Sequence, residues 1–354
     1  MAKTLMKGNE ALAEAAIRAG CKAFFGYPIT PQNEVPAYMA DQLPMRGGVY
    51  LQAESEVSAI NMVYGAAGAG ARVMTSSSSP GISLKQEGIS YIAAGELPCV
   101  IVNVMRCGPG LGGIQPSQGD YFQAVKGGGH GDYRLIVLAP GSVQEMADLT
   151  ALGFDLADKW RNPVMILADG ILGQMMEPVD FSQGHVPQQV EKPWATTGAV
   201  DRGPNVVNTL DIIPESFEKK LDRLLSKYEQ IKAEEVRWQE EGTEDAEVIL
   251  VGYGTCARIA RSAMDLARKE GIKVGLFRPI TLWPFPEQQI RALAKPERKF
   301  LAVEMSAGQM IEDVRLAVEG KSPVYLSNRL GGMVPTPEDV LAKIREIVEG
   351  RVSE

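Results

Sequence analysis

The chain contains 354 residues, a length that suits two domains of ordinary size, each able to bury its own core. Its 36 basic and 44 acidic residues give a formal net charge of −8, which argues against nucleic acid because such a partner favours a basic face. No apolar run approaches the roughly 18 residues of a membrane span, and residues 1–20 lack a signal-peptide h-region, so we expect a cytoplasmic protein without a membrane partner. The four cysteines are far apart in sequence and only two histidines occur, so the sequence predicts no metal site on this chain.

Strand-like and helix-like segments alternate over the first half of the chain. Asn9 is the predicted N-cap of an alanine-rich helix, and Thr30-Pro31 looks like an N-cap followed by a proline in the first helical position. Residues 54–69 carry apolar side chains at helical spacing. Apolar runs of the kind that a parallel sheet buries lie at residues 23–25, 49–53, 72–76, 98–105, 135–139 and 164–168. This alternation predicts an α/β domain over residues 1–185.

An irregular, proline-punctuated segment follows from about His185, and we interpret residues 186–243 as a linker that includes one long charged helix. Apolar residues recur at spacings of four and three from Phe217 to Trp238, with a break at Glu235. A connecting helix that lies across its own protein accounts for this seam better than a separate coiled coil. A second, smaller α/β domain is predicted over residues 244–354, with strands at 248–251, 273–277, 300–303 and 324–326 and a final helix at 337–349.

The sequence Gly252-Tyr253-Gly254-x-x-Ala257 follows a predicted strand and opens a helix, as a dinucleotide-binding fingerprint does. The acid that should end the next strand is absent, and Arg278 stands there instead. We therefore interpret the motif as a tight strand-to-helix turn. A nucleotide-dependent reductase that uses this turn remains an alternative.

Glu56 lies in the first turn of the helix predicted over residues 54–69. By spacing alone it is an acid that complements the helix N-terminus, a purpose that Glu54 serves equally well. However, Glu56-x-x-Ala59 on an alanine- and glycine-rich helix, followed by a strand that runs into a Ser-Pro-Gly turn, resembles the pyrimidine-binding domain of thiamine diphosphate enzymes. In that fold one glutamate from such a helix bonds the aminopyrimidine. The resemblance implies this role for Glu56, with Glu54 as the competing assignment.

The pentapeptide Tyr27-Pro28-Ile29-Thr30-Pro31 makes the resemblance more specific. Taken with Glu54-Ser55-Glu56, with Arg106 after an apolar strand and with His130-Gly131-Asp132, it looks like the α-type subunit of 2-oxoacid:ferredoxin oxidoreductases. The resemblance covers nearly the whole chain, and its details look closest to the 2-oxoisovalerate (branched-chain) branch. It implies two parallel-sheet α/β domains, in which a thiamine diphosphate-binding fold of the pyrimidine type is followed by a transketolase C-terminal-like domain.

The resemblance also implies roles for single residues. A carboxylate bonded to pyrimidine N1′ favours the imino tautomer that deprotonates C2 of the cofactor, so Glu56 is the expected catalytic and cofactor-binding residue. Arg106 is expected to orient the substrate carboxylate with its planar fork, and Thr30 to bond the substrate through its hydroxyl. A surface or interface ion pair for Arg106 and a helix cap for Thr30 are the structural alternatives. Further expected cofactor-binding residues are Tyr27, Pro28, Ile29 and Ser77, although turn chemistry also explains the segment at residues 77–81.

Two motifs of such enzymes are missing from the chain. We find no Gly-Asp-Gly followed by paired asparagines, the usual Mg²⁺–diphosphate motif, and no cysteine cluster for electron transfer. The resemblance therefore implies that thiamine diphosphate is shared with a partner subunit that binds Mg²⁺. A ferredoxin-like subunit would carry the iron–sulfur clusters, with a γ-type subunit as a further candidate. The assembled enzyme would convert a 2-oxoacid and coenzyme A to acyl-CoA and CO₂ and reduce external ferredoxin.

Other functions remain open at this stage. The chain could belong to a 2-oxoglutarate- or pyruvate-type member of the same family. It could also be the β-type subunit of a lipoyl-dependent 2-oxoacid dehydrogenase, which pairs the same two kinds of domain. A non-catalytic scaffold subunit is an alternative of a different class.

Overall fold

The computed structural model describes residues 3–182, 187 and 190–352, and His185, where the predicted linker begins, lies outside them. The strands of the first sheet are β2 (Ala23–Gly26), β3 (Val49–Gln52), β4 (Val73–Ser77), β5 (Cys99–Met105), β6 (Ile136–Leu138), β7 (Pro163–Asp169) and β12 (Thr281–Trp283). Their order is β12–β6–β7–β5–β4–β2–β3, and the pairs are parallel except for β12 with β6. β5 and β7 are buried along their whole length, as their continuous apolar runs predict.

Helices cover both faces of this sheet, which confirms the predicted α/β fold. They are α1 (Gly8–Arg18), α2 (Glu34–Met45), α3 (Glu56–Gly68), α4 (Ser79–Ala94), α5 (Val143–Trp160) and α6 (Gly170–Gln174). The short strands β1 (Thr4–Lys7) and β8 (Met176–Val179) form an antiparallel pair beside it. α1 packs against α5, and α3 packs against α4. Because the strands are parallel, the loops that follow β2, β4, β5 and β7 meet at one edge of the sheet.

The starts of two helices differ from the sequence-based expectation. Asn9 is not an N-cap, because α1 begins one residue earlier and Lys7 takes the cap position. α2 begins at Glu34, so Thr30-Pro31 does not open it. One hydrogen bond explains both differences. The Asn9 side chain donates to the Pro31 carbonyl at 3.0 Å, so it does not cap α1, and it holds the Pro31 peptide outside α2.

The long charged helix α7 (Pro214–Glu234) lies across the first unit. Its buried residues Leu224, Tyr228 and Ile231 join the same core as the first sheet. Trp238 was expected to belong to this helix, but it lies outside it. It begins β9 (Trp238–Glu241), which pairs with the following unit, because the backbone there finds hydrogen-bond partners in a neighbouring strand.

The second sheet has five strands, in the order β14–β13–β10–β11–β9, and only β9 is antiparallel. They are β10 (Val248–Val251), β11 (Val274–Pro279), β13 (Lys299–Glu304), β14 (Val324–Asn328) and β9, with helices α8 (Gly254–Lys269), α9 (Glu287–Leu293), α10 (Met310–Val318) and α11 (Pro337–Val348). β12 follows β11 in the chain but pairs with β6, so the second half of the chain supplies an edge strand of the first sheet. Within the described residues no helix is long and apolar enough to cross a membrane.

Candidate active site

The loop at residues 27–33 follows β2 at the carboxyl edge of the first sheet. Gln174 donates to the Pro31 carbonyl at 2.9 Å, beside the bond from Asn9, and Ser76 donates to the Gln32 side chain at 2.5 Å. The loop is therefore fixed from α1, from α6 and from β4. Thr30 is exposed at its apex.

Glu56 and Glu54 have opposite surroundings. Ser55 caps α3 by accepting from the Ser58 amide at 3.2 Å, which places Glu56 in the first helical turn. The Glu56 side chain is only 6% exposed, and no described residue donates a hydrogen bond to its carboxylate. Glu54 is exposed and accepts from the Ser58 hydroxyl at 3.0 Å. This difference in burial favours Glu56 over Glu54 as the residue that faces a bound group.

The first turn of α4 lies directly against Glu56. A Cβ atom added at Gly81 would lie 2.6 Å from Oε1 of Glu56 and 2.1 Å from the Ser77 hydroxyl, so only glycine allows this approach. The buried hydroxyls of Ser77 and Ser78 have no hydrogen-bond partner among the described residues. The expected Ser-Pro-Gly turn is instead helical, because Pro80 and Gly81 belong to the first turn of α4, where a proline loses no hydrogen bond.

Arg106 follows β5 and is 7% exposed. Its guanidinium donates to the carbonyls of Thr30 and Leu111, each at 3.2 Å, while its Nε has no partner. Across the described part of the chain, no carboxylate lies within ion-pair distance of it. The described residues therefore give Arg106 no surface ion pair and no counter-charge, whereas the interface ion pair stays an untested alternative. The structure does bring Arg106 and Thr30 together, but through the Thr30 carbonyl.

Ser79 connects the Glu56 side of the site to the Arg106 side. Its hydroxyl donates to Asp120 at 2.6 Å and accepts from the Arg106 amide at 3.0 Å, and its own amide donates to Asn103 at 3.1 Å. Asn103 also donates to Asp120 at 2.9 Å. Burial raises the pKa of the Asp120 carboxyl, against the effect of these bonds. The sequence analysis missed this network, although an asparagine inside the apolar strand β5 was an available signal.

The remaining predicted residues differ in burial. Tyr27 is 37% exposed, Pro28 is exposed and Ile29 is half-buried, and no described side-chain hydrogen bond joins them to Glu56 or Arg106. These three residues lie in the loop after β2, directly before Thr30, whose carbonyl Arg106 contacts. Ser77, in contrast, lies inside it beside Gly81.

The glycine-rich loop after Arg106 connects the two units. Gln118 donates through its side chain to the Tyr253 carbonyl at 2.9 Å and through its amide to the Met305 carbonyl at 2.8 Å. Tyr121 donates to Asp313 at 2.6 Å, and Lys126 forms an ion pair with the same carboxylate. This loop therefore fixes the second unit behind the site.

The helix N-terminus at Gly252–Ala257 is already occupied by a side chain. The Asp169 carboxylate accepts from the Thr255 amide at 3.2 Å and from its hydroxyl at 2.8 Å, and burial raises the pKa of Asp169. Tyr253 and Cys256 are fully buried. The motif is a structural strand-to-helix turn, and nothing about it favours a nucleotide.

Two family models match successive parts of this chain. A family model described as pyruvate flavodoxin/ferredoxin oxidoreductase, thiamine diphosphate-binding, matches residues 14–229, and one described as pyruvate:ferredoxin oxidoreductase core domain II matches residues 246–340. Ketoisovalerate oxidoreductase subunit VorB of Methanothermobacter marburgensis is 54% identical and covers 98% of each chain. The 2-oxoglutarate synthase subunit KorA of Archaeoglobus fulgidus is 40% identical and covers 99% of this chain and 100% of its own.

Solved structures agree with the sequence relatives. A 2-oxoglutarate:ferredoxin oxidoreductase from Magnetococcus marinus superposes with a TM-score of 0.86 at 27% identity, covering 97% of this chain, which spans 65% of the length of that one. A split-gene transketolase shares the fold, with a TM-score of 0.60 at 13% identity over 97% of this chain and 98% of its own. As the sequence motifs predict, the chain belongs to the 2-oxoacid:ferredoxin oxidoreductase family.

Proposed function

We propose that this chain is the subunit of a thiamine diphosphate-dependent 2-oxoacid:ferredoxin oxidoreductase that holds the pyrimidine ring and the substrate carboxylate. The main support for this proposal is the guanidinium of Arg106, which is buried and has no acidic partner among the described residues. Leaving a buried charge unpaired is costly, whereas an arriving carboxylate pairs with it. A 2-oxoacid supplies such a carboxylate.

The surroundings of Glu56 fit the pyrimidine half of the cofactor. Gly81 leaves room against the carboxylate where any side chain would collide, and the Ser77 and Ser78 hydroxyls beside it are unpartnered. When bound, thiamine diphosphate supplies the carbanion chemistry that decarboxylation of a 2-oxoacid needs. Glu56 would hold a proton at pyrimidine N1′, with Ser77 at the ring and Tyr27, Pro28 and Ile29 at the entrance.

Arg106 would orient the substrate without being neutralised by the protein. Its bonds to two backbone carbonyls hold the guanidinium in place but do not cancel its charge. The exposed Thr30 hydroxyl, next to that contact, would bond the same substrate. Holding the substrate in a reactive orientation lowers the entropy cost of reaching the transition state and so raises the rate.

A branched, apolar 2-oxoacid is the substrate that this chain supports best, with 2-oxoisovalerate as the specific proposal. An open cleft of about 630 Å³ begins at Thr30, and Pro31, Ile114, Pro116, Ile171 and Met175 give it an apolar wall. Glu34, the charged residue of its lining, is already paired with Lys7 at 3.0 Å, and the lining offers no lysine or arginine to the second carboxylate of a dicarboxylic acid. The 54%-identical relatives are named ketoisovalerate oxidoreductase subunits, which points in the same direction.

The complete enzyme would need other polypeptides. We place the Mg²⁺–diphosphate motif on one partner subunit and the iron–sulfur clusters on a ferredoxin-like one, with a γ-type subunit as a further member of a cytoplasmic complex. Relatives named as subunits of oxidoreductases support such an assembly. The similar 2-oxoglutarate:ferredoxin oxidoreductase from Magnetococcus marinus has coenzyme A and succinyl-CoA bound, which supports coenzyme A as the acyl acceptor. The proposed domain division remains 1–185, 186–243 and 244–354.

Purification of the native complex and substrate profiling test this function. Ferredoxin reduction would be followed with 2-oxoisovalerate, 2-oxoglutarate and pyruvate, each with coenzyme A. We expect kcat/KM for 2-oxoisovalerate to exceed the others by about tenfold or more, the range that apolar pocket contacts provide. A preference for 2-oxoglutarate would assign the chain to that branch. Acyl transfer to a lipoyl protein without ferredoxin reduction would contradict the proposal.

A further inference from the structure

Asp120 lies in a short segment, residues 117–122, whose backbone is fixed by the second unit. The side chain of Gln309 reaches both flanks of Asp120. It donates to the Gly119 carbonyl at 2.7 Å and accepts from the Phe122 amide at 2.8 Å. The other bonds of this segment to the second unit, described above, act in the same way. The position of Asp120 is therefore set by the second unit.

The side chain of Asp120, in contrast, bonds the first unit. Its Oδ2 accepts from the Ser79 hydroxyl at 2.6 Å and from the Asn103 side chain at 2.9 Å. The Ser79 amide donates to Asn103 at 3.1 Å, so the three residues form a closed ring of hydrogen bonds. Asn103 is 0% exposed within β5, and a buried amide is costly unless its hydrogen bonds are made. Asp120 meets part of that requirement from outside the sheet.

This ring of hydrogen bonds contacts both sides of the candidate site. Ser79 accepts from the Arg106 amide at 3.0 Å, which fixes the backbone that carries the guanidinium. Ser79 also begins α4, whose first turn brings Gly81 against the Glu56 carboxylate. A displacement of Ser79 would therefore move the surroundings of Glu56 and the backbone of Arg106 together.

We propose that Asp120 is a positioning residue through which the second unit holds the Glu56 and Arg106 sides of the site in fixed relative positions. The inference rests on the proposed function, which gives those two residues their roles. Asp120 acts through Ser79 and Asn103, so it needs no contact with substrate or cofactor. A misplacement of about 1 Å away from the reacting atoms can lower a rate by about a hundredfold, so this support bears on catalysis.

The first test uses the full chain alone and measures amide hydrogen exchange in two peptides, one containing Ser79 and one containing Arg106. In Asp120→Ala both peptides should exchange about tenfold faster or more, the equivalent of losing one charged hydrogen bond. Asp120→Asn should keep the protection, because its amide oxygen can accept both bonds. The other carboxylate oxygen bonds no described residue, so an amide nitrogen can replace it. Wild-type exchange in folded Asp120→Ala would overturn the inference.

The second test uses the reconstituted complex, where a contact that only stabilises the fold would leave the kinetics of folded protein unchanged. In Asp120→Ala, proton–deuterium exchange at C2 of the cofactor should fall and KM for the 2-oxoacid should rise, each by about tenfold to a hundredfold. Asp120→Asn should retain most of both. If Asp120→Asn loses as much as Asp120→Ala, the residue transfers a proton, and the positioning role is contradicted.

Tyr121→Phe is the matched control for both tests. It removes a hydrogen bond of 2.6 Å to Asp313 from the residue next to Asp120, and it leaves the ring of hydrogen bonds intact. Its kinetics and the exchange of the two peptides should match the wild type. An effect as large as that of Asp120→Ala would show that any loosening of this segment suffices, and would contradict the specific role of Asp120.

A double variant tests whether the second unit acts through Asp120. Gln309→Ala should accelerate exchange of the same two peptides, but by less than Asp120→Ala, because it loosens only the flanks of Asp120. The double variant should exchange no faster than Asp120→Ala alone, since both changes act through one contact. Additive effects would contradict the inference. If Asp120→Ala does not fold, Gln309→Ala decides, and wild-type exchange in both of its peptides would overturn the inference.

Failure of the proposed function would give a different result. A wild-type complex with neither C2 exchange nor 2-oxoacid-dependent reduction of ferredoxin would contradict that function. Amide exchange of the chain alone would still decide whether Asp120 holds the two sides of the site together.

Discussion

Two strand-to-helix junctions of this molecule differ in what their helix N-termini contact. Between β10 and α8, the Asp169 carboxylate accepts from the amide and hydroxyl of Thr255, and the turn is filled. Between β4 and α4, Ser78 makes no side-chain cap, and the hydroxyls of Ser77 and Ser78 are buried without a partner. The first junction is complete within the chain, whereas the second has unused polar groups.

The same contrast separates two buried arginines. Arg278 forms a two-point ion pair with Glu145, with both distances at 2.7 Å. Arg106 contacts only backbone carbonyls and keeps its charge. An unsatisfied buried polar group costs about 1–3 kcal/mol of stability. Several such groups in one place are therefore expected where a bound molecule supplies their missing partners. This accumulation, more than any motif, distinguishes the candidate site from the structural turn.

The largest expected effect follows from Glu56→Gln. The variant keeps the size of the side chain but removes the acid, so C2 proton–deuterium exchange in the reconstituted complex should fall by about two to four powers of ten. Glu54→Gln is the control, because Glu54 is exposed and bonds only Ser58. If Glu54→Gln loses exchange and Glu56→Gln does not, the assignment passes to Glu54.

Arg106→Ala should raise KM and lower kcat/KM by about one to three powers of ten, because a charged hydrogen bond to the substrate is lost. Its stability should change little, since no ion pair is broken. Arg278→Ala should instead affect stability. It should lower the free energy of unfolding by about 2 kcal/mol, because the Glu145 carboxylate loses its ion-pair partner. Steady-state kinetics and urea unfolding of both variants measure the two effects. Unchanged kinetics in Arg106→Ala would remove this residue from the site.

Asp169→Ala should lower the free energy of unfolding by about 1–3 kcal/mol, since the amide of Thr255 and those of Ile171 and Leu172 lose their acceptor. C2 exchange should remain close to that of the wild type. Urea unfolding measures the first quantity. A lasting loss of exchange in folded protein would show that the two junctions are functionally connected.

Long-range contacts decided which parts of the fold were predictable. β5, β7 and α3 were predictable from sequence. In each of them the local pattern of apolar residues agrees with which residues are buried in the fold. The start of α2 was missed because side chains of α1 and α6, distant in sequence, hold the Pro31 carbonyl. Trp238 was misplaced because its strand exists only through pairing with β11.

The candidate site was predictable where residue types carry the chemistry. Arg106 and Glu56 were predicted from motifs, and their roles stay predictions. Spacing alone could not separate Glu56 from Glu54, and burial favours Glu56. The full burial of Lys85 on α4 was not predicted, because a lysine on a helix usually lies in solvent. Its position at core spacing between Ile82 and Ile89 was a signal that the sequence already contained.

The smallest expected effect concerns the apolar cleft beside Thr30. Ile114 is 59% exposed and lines this cleft, so Ile114→Ala should alter substrate choice more than stability. The ratio of kcat/KM for 2-oxoisovalerate to that for pyruvate should fall by about tenfold, the equivalent of one or two methylene contacts. Leu316→Ala, which shortens a side chain on α10 that is 68% exposed, should leave the ratio unchanged. If both variants lower it alike, the cleft does not hold the substrate side chain, and specificity must arise closer to Arg106.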